Sequence, residues 1–125
     1  MTAVLDAGAL IAIDTRDRAV GAMLRVLQRD GVPIVTSAAV VAQAWRDPRR
    51  QVNLARVLTG VDIAALDDIA AKKVGELLRA SGTSDLTDAH VALLVQPQGR
   101  VLTSDHAGIN ALLRTRRVKA VIVRV

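Results

Sequence analysis

The chain of 125 residues contains no cysteine, which excludes disulfide scaffolds, zinc fingers, iron–sulfur sites and thiol nucleophiles. It has two histidines, so any metal ion must be held by oxygen ligands or by this one pair. It lacks phenylalanine and tyrosine and has a single tryptophan, which excludes the aromatic platforms on which RRM and OB-fold proteins stack unpaired bases. Any contacts with a nucleic acid are therefore those of arginine and lysine with phosphate.

Long apolar runs are absent as well. The longest stretch without a charge, Gly31 to Trp45, includes a proline and several polar residues and is shorter than the roughly 20 apolar residues that a membrane-spanning helix needs. Asp6 interrupts the N-terminal apolar residues before the apolar region of a signal peptide can develop. We therefore expect a cytoplasmic protein that does not contact a membrane.

Basic residues outnumber acidic ones. The chain has 17 Lys and Arg against 12 Asp and Glu, a net charge of +5 and a pI near 11.0, which suits a polyanionic partner or substrate. After Asp105 no acid follows, but five basic residues do: Arg114, Arg116, Arg117, Lys119 and Arg124. A second basic cluster consists of Arg46, Arg49, Arg50 and Arg56. Both a solvated surface and a phosphate-binding surface remain open as interpretations of these clusters.

Short strand-like runs alternate with helical patterns, and no linker, repeat or low-complexity segment separates them. The predicted strands are Thr2–Leu5, Pro33–Thr36, Val61–Ala64, Arg100–Thr103 and Ala120–Val123. Because strands that are apolar on both faces and joined by helical crossovers form parallel sheets, we predict a three-layer α/β/α sandwich with a mainly parallel sheet of about five strands. The length predicts a single domain, residues 1–125.

Apolar periodicity and capping residues predict the helices between these strands. The first helix follows Asp6 in the segment AGALIAI. The others are predicted from Arg18 to Gln28, from Ser37 towards Trp45, from Pro48 to Leu58, from Asp67 to Arg79, from Asp85 to Leu94, and from about Ala107 to Arg114. Gly31, Gly60 and Gly82 stand where three of these helices should end.

Three aspartates stand at predicted strand ends or helix starts. Asp6 follows the first strand, Asp105 comes two residues after the fourth, and Asp88 lies one turn into an apolar helix that opens at Asp85. In open parallel sheets, ligands bind beyond the carboxyl ends of the strands, so these side chains are expected to converge there. Asp85 and Asp88 share one helix face, although an aspartate such as Asp85 also serves as an ordinary helix cap.

Converging carboxylates repel one another unless a cation offsets their charge, and hard oxygen ligands favour Mg²⁺ or Mn²⁺. Such an ion lowers the pKa of a bound water and stabilises charge on phosphoryl oxygens. Together with the basic clusters, the three aspartates Asp6, Asp88 and Asp105 therefore predict metal-assisted hydrolysis of a phosphodiester.

At these residues the chain resembles PIN domains, and among them the small VapC-type toxins of bacterial toxin–antitoxin pairs. The family's opening motif, a strand that ends in an aspartate before an apolar helix, is met by AVLDAGALIAI and identifies Asp6 as its first metal-binding acid. Its later motif, DAxIAxxA, is met by DAHVALLV at Asp88, and its closing T-x-D is met by VLTSD at Asp105. The resemblance extends over nearly the whole chain.

The resemblance implies a Mg²⁺- or Mn²⁺-dependent endoribonuclease that is inhibited by a cognate antitoxin protein and usually acts as a homodimer. Its substrate is single-stranded or structured RNA. The resemblance also implies that Asp6 and Asp88 bind the ion directly, and that Asp105 binds it or holds its water.

The chain departs from the family pattern at three places. The glutamate usual in the helix after the second strand is replaced by Gln43, whose amide brings no charge. The hydroxyl residue usual two positions after the first aspartate is replaced by Gly8. No further acid follows Asp105, so three acids remain of the usual four or five, and Asp85 is the candidate for supplying the missing charge.

Two other functions compete with the nuclease. The first is a PIN-like module that binds antitoxin or RNA without efficient cleavage, which Gln43 and the missing acid favour. The second is a receiver-type signalling domain, which would need a phosphoacceptor aspartate after the third strand, where VDIAAL offers none.

For His90 and His106 we favour packed or exposed positions over general acid–base roles, and for Trp45 a packing or interface role over base stacking.

Overall fold

The computed structural model describes all residues from Met1 to Val125, which form five strands and seven helices. The strands are β1 (Ala3–Leu5), β2 (Ile34–Ser37), β3 (Asp62–Ala64), β4 (Arg100–Thr103) and β5 (Val121–Arg124). The helices are α1 (Ala7–Asp14), α2 (Arg18–Arg29), α3 (Ala38–Ala44), α4 (Val52–Leu58), α5 (Asp68–Ser81), α6 (Leu86–Leu94) and α7 (His106–Arg116). None of these helices is long and apolar enough to cross a membrane.

The five strands form one sheet in the order β3-β2-β1-β4-β5, and every neighbouring pair is parallel. Among the helices, α1 contacts α2, α3 and α4, while α6 contacts α5 and α7. The three-layer α/β/α prediction and the expected number of strands are therefore confirmed. The chain runs outward from β1 to β3 and then returns to β4 on the other side of β1, so the strand order reverses between β1 and β4.

Most of the apolar core lies around the three inner strands. Twenty-four buried apolar residues form one cluster, and all three residues of β1 belong to it. The edge strands β3 and β5 are largely exposed, with no fully buried residue in either. The inner strands β1 and β4 therefore give the most rigid platform for the residues that follow them.

Side-chain caps define where six of the seven helices begin. The capping residues are Asp6, Asp17, Ser37, Asp67, Asp85 and Asp105, and each accepts a hydrogen bond from a backbone N–H of its own helix. These bonds satisfy donors that the helix itself leaves free, and an aspartate also interacts favourably with the positive end of the helix dipole.

The main difference from the predicted elements concerns α4, which begins at Val52 and not at Pro48. The preceding residues form a turn in which the Asp47 carboxylate accepts a hydrogen bond from Arg49 N at 3.0 Å. The buried Gln51 side chain then accepts from Arg46 N at 2.6 Å and donates to Ala44 O at 2.8 Å. These side-chain contacts hold the backbone of the α3–α4 connection in a non-helical path, which periodicity does not reveal.

We predict that Leu102→Ala lowers the free energy of unfolding by about 2–5 kcal/mol, because it deletes a side chain that is 1% exposed in a central strand. Urea unfolding followed by circular dichroism measures this change. Leu86→Ala is the matched control, since that side chain is half exposed and its loss should change the value by less than about 1 kcal/mol. Equal effects of the two substitutions would contradict this description of the core.

Candidate active site

The predicted aspartates gather at the carboxyl ends of β1 and β4, on the two sides of the reversal in strand order. Asp6 follows β1 directly, and Asp105 comes two residues after the end of β4. Leu5 and Leu102 are paired in the sheet, so the two strands end side by side. Asp88 reaches the same edge from the first turn of α6.

Asp6 is held by a hydroxyl that comes from 97 positions further along the chain. Thr103 Oγ1 donates to Asp6 Oδ2 at 2.6 Å, and Ala7 N donates to Asp6 Oδ1 at 2.7 Å. Thr103 Oγ1 also accepts from Asp105 N at 2.9 Å. One buried threonine therefore fixes the Asp6 carboxylate, which is 4% exposed, and the backbone that carries Asp105.

Asp88 and Asp105 form a carboxyl–carboxylate pair. Burial raises the pKa of Asp88 to about 8, with further contributions from its hydrogen bond to Asp105 and from the neighbouring carboxylates of Asp6, Asp85 and Asp105. The same hydrogen bond lowers the pKa of Asp105, and the Gly108 N–H, which donates to Asp105 Oδ1 at 3.0 Å, lowers it further. At neutral pH, protonated Asp88 therefore donates to ionised Asp105.

The four acids do not all face the same space. Asp85, Asp88 and Asp105 line an open hollow of about 280 Å³, and Asp6 is not part of its lining. No three histidine, aspartate or glutamate side chains have the arrangement of a metal cluster. The structure thus brings Asp88 and Asp105 into contact and places Asp6 and Asp85 close enough to affect Asp88, without forming a cage of three carboxylates.

Asp85 is the N-cap of α6, since its Oδ1 accepts from Asp88 N at 2.9 Å. The helix-cap interpretation of Asp85 is therefore confirmed. Because Asp85 also lines the hollow, its side chain remains exposed to any ligand there. Its contribution to ion binding stays a prediction.

Gln43 lies at the edge of this region. Its side chain is exposed, and Nε2 donates to Thr87 Oγ1 at 3.2 Å, one residue before Asp88. The amide thus occupies a position beside the carboxylates from which a glutamate would add a negative charge. The neutral glutamine spares Asp88 this further repulsion.

Gly8 is required by the close approach of α1 to the segment after β4. A Cβ at position 8 would lie 2.5 Å from Ser104 Oγ and 2.8 Å from Ser104 Cβ. The sequence suggested that Gly8 costs the site an orienting hydroxyl, but Thr103 supplies such a hydroxyl to Asp6 from β4. The T-x-D motif at Thr103–Asp105 already contained this threonine, although only Asp105 was predicted from it to belong to the site.

The two histidines and the tryptophan lie outside the carboxylate cluster. His90 is 2% exposed and its Nδ1 is 2.5 Å from Ser37 Oγ, so its packed role is confirmed. Burial lowers the pKa of His90, against an opposing effect of Asp67. His106 is partly buried in the first turn of α7, and half-buried Trp45 packs against the core while lining an open apolar hollow between α3 and α4.

Comparison with solved structures finds several chains of similar fold. A chain of VapBC2 from Rickettsia felis, crystallised bound to a DNA fragment from their promoter, has a TM-score of 0.64 to this chain at 16% sequence identity. The alignment covers 100% of this chain and 99% of that one. No family model and no curated protein matches the sequence. At this identity the likeness shows a shared fold over the full length of both chains.

We predict that Gly8→Ala lowers the free energy of unfolding by about 1–2 kcal/mol, because the added methyl group collides with Ser104, even though alanine favours helices more than glycine does. Thermal or urea unfolding measures the loss. Ser104→Gly should restore most of it in the double variant while having a smaller effect alone. If the two substitutions have additive effects, the proposed collision does not exist.

We predict that the metal-free protein loses stability as the pH rises from about 4 to about 8, because folded Asp88 keeps a proton that the unfolded chain releases near pH 4. Asp88→Asn removes this penalty, so the variant should exceed the wild type by about 3 kcal/mol at pH 9 and match it near pH 4. Urea unfolding in EDTA measures both. Asp30→Asn, at an exposed acid, is the control, and equal pH profiles for all three proteins would contradict the prediction.

Proposed function

We propose that this protein is a Mg²⁺- or Mn²⁺-dependent endoribonuclease that acts as the toxin of a toxin–antitoxin pair. The observation that carries the proposal is the contact between Asp88 and Asp105 beside Asp6. Carboxyl groups from three separate parts of the chain meet at the edge of a parallel sheet where ligands commonly bind. Helix capping does not require these acids to lie together, because Asp6 and Asp105 each cap a helix without the other and Asp88 caps none.

The donor set fits a hard divalent cation. The pKa of Asp88 is raised to about 8, first by burial and then by its hydrogen bond to Asp105 and by the neighbouring carboxylates, and a divalent cation would offset that repulsion in place of the proton. Mg²⁺ commonly binds through one or two carboxylates and completes its shell with water and substrate phosphate oxygens. Asp88 and Asp105 can supply such a pair, so a cage of three carboxylates is not required.

The remaining residues have distinct tasks in this proposal. The bound ion would lower the pKa of a water molecule and stabilise charge on the phosphoryl group. Asp105, exposed at the hollow, faces the incoming phosphodiester, and Asp88 gives up its proton when the cation binds. Asp6 is fixed by Thr103 and contributes negative charge from behind the pair, which favours the cation.

Partners follow from the fold and from the basic charge. VapBC2 was crystallised as a complex, so we propose that this chain likewise binds an antitoxin protein. A homodimer is proposed from the family resemblance, and the apolar hollow lined by Val41, Trp45 and Leu58 is a suitable contact surface.

RNA would be held by arginine and lysine side chains. Arg116 is excluded from that role, since it donates to the carbonyls of Ala92 and Val95 at the end of α6.

A second candidate is a PIN-like module that binds RNA or antitoxin and cleaves inefficiently. Two observations favour it: neutral Gln43 at the edge of the site, and the absence of a cluster of three ligands. The two candidates differ in whether the folded protein turns over RNA in the presence of a divalent ion.

We predict that the purified protein cleaves a mixed RNA pool with Mn²⁺ or Mg²⁺ and not with EDTA. Asp88→Asn and Asp6→Asn should each lower the rate by about 100-fold or more, because each removes a charge on which cation binding depends. Gel analysis of the RNA measures cleavage, and circular dichroism verifies that the variants fold. Asp30→Asn should cleave like the wild type, since this exposed acid pairs with Arg29 far from the site.

Cleavage that persists in EDTA or in Asp88→Asn would refute the proposed site. If the folded wild type binds RNA and never cleaves it, the second candidate is correct, and Gln43→Glu becomes the variant to test for restored turnover.

A further inference from the structure

A larger cavity lies away from the carboxylates, where the end of α1 meets α2 and α4. Its volume is about 560 Å³, within the range of small-molecule binding sites. Four arginines line it, namely Arg16, Arg18, Arg25 and Arg56, and the only acid in its lining is Asp17. The predicted active site uses none of these residues, and sequence reasoning singled out only Arg56 among them.

The positive charge of this cavity is not neutralised within the protein. The ion pairs of the structure join Arg29 to Asp30, Arg50 to Asp47 and Lys72 to Asp68, and none includes an arginine of the cavity. The Asp17 carboxylate is engaged with Val20 N at 3.0 Å as the cap of α2. Four exposed arginines therefore line the cavity against one carboxylate that already has a partner, and of the four Arg56 also donates to Asn53 Oδ1, at 2.7 Å.

One of these arginines occupies an unfavourable position. Arg18 is the first residue of α2, where the helix dipole disfavours cations. Arg16 has a φ of 59° because it closes the end of α1, where Arg16 N donates to Ile13 O at 3.1 Å and Asp17 N donates to Ala12 O at 2.8 Å. An anion bound in the cavity would offset the charge of Arg18 at the start of α2.

The arrangement of the arginines suits a chain of phosphates. Arg18 and Arg25 are seven residues apart, so they lie on one face of α2, about 10 Å from each other along the axis. Gly21 stands between them, and a Cβ there would meet only Arg25 Nη1, at 3.6 Å, so this part of the wall is open. Along the axis of B-form DNA each strand carries one phosphate about every 3.4 Å, a spacing that we take for the bound strand, and each guanidinium fork can bind a phosphate through two hydrogen bonds.

The position of the cavity relates it to the carboxylates. Asp6 caps the start of α1, the helix ends at Asp14, two residues before Arg16, and its eight residues span about 12 Å. A strand covers that distance in three to four nucleotides. We propose that the cavity binds backbone phosphates of an RNA strand whose neighbouring segment lies at the carboxylates. This inference rests on the proposed function for the identity of the polyanion.

The test measures RNA binding without cleavage. A fluorescent 12-nucleotide RNA is titrated with protein in EDTA at several salt concentrations, and anisotropy gives the affinity. Arg18→Gln/Arg25→Gln should weaken binding by about tenfold at low salt and make the slope of log K against log salt shallower by up to about 1.4, because up to two phosphate contacts are lost.

Two matched substitutions separate the cavity from net charge and from folding. Lys72→Gln/Arg79→Gln removes the same charge at the same spacing of seven, on the exposed face of α5, and should change the affinity by less than about twofold. Gly21→Glu should weaken binding as strongly as the double arginine variant because it places an acid in the cavity, while Gly21→Ala should not.

If the α2 and α5 double variants lose RNA affinity equally, or if neither loses any, the proposal is wrong and the arginines form an ordinary solvated surface. Poly-L-glutamate is tested in the same way. If its binding depends on Arg18 and Arg25 and the binding of RNA does not, the cavity is a site for an acidic protein segment. If the binding of inorganic phosphate depends on these arginines and the binding of RNA does not, the cavity is a site for a free anion. If RNA binding depends on the cavity but the protein never cleaves RNA, the proposed nuclease activity is refuted and the proposed RNA-binding role of the cavity stands.

Discussion

The hydrogen bond from the Thr103 hydroxyl to the Asp6 carboxylate is the contact on which the candidate site depends. It joins the end of β1 to the end of β4 at the one place where the order of the parallel strands reverses. The same hydroxyl accepts from the Asp105 N–H and thereby positions the start of α7. Because both partners are buried, water does not compete with this bond, and the carboxylate keeps a fixed orientation.

Asp6, Asp85 and Asp105 cap helices, and Asp88 lies in the first turn of α6, so each has a local structural role. Such aspartates occur in many proteins without any catalytic role. What distinguishes these is that the sheet brings the starts of three helices, α1, α6 and α7, to one edge. Burial of Asp88 at this edge, together with its hydrogen bond to Asp105 and the neighbouring carboxylates, raises its pKa to about 8 and keeps it protonated at neutral pH. Helix capping and the chemistry of the site thus use the same carboxylates, with the fold supplying their proximity.

The structure also separates the basic residues into different roles. Arg116 donates to the last carbonyls of α6, and Arg46 donates to the Ala42 and Trp45 carbonyls, so both act within the fold. Arg56 instead lines the cavity beside α2. Counting charges in the sequence predicted a polyanionic partner, but it could not separate these roles, because each depends on which backbone or carboxylate atoms lie nearby.

The sequence by itself determined the five strands, the helix starts at Asp67 and Asp85 and the three motif acids, because short apolar runs, capping residues and motifs are local properties of the chain. It did not determine that α4 begins at Val52, since the turn before it is held by Gln51 through contacts to other segments. Only the tertiary structure decided that Asp88 pairs with Asp105 while Asp6 lies behind them. That arrangement is set by strand order and by packing between residues that are far apart in the chain.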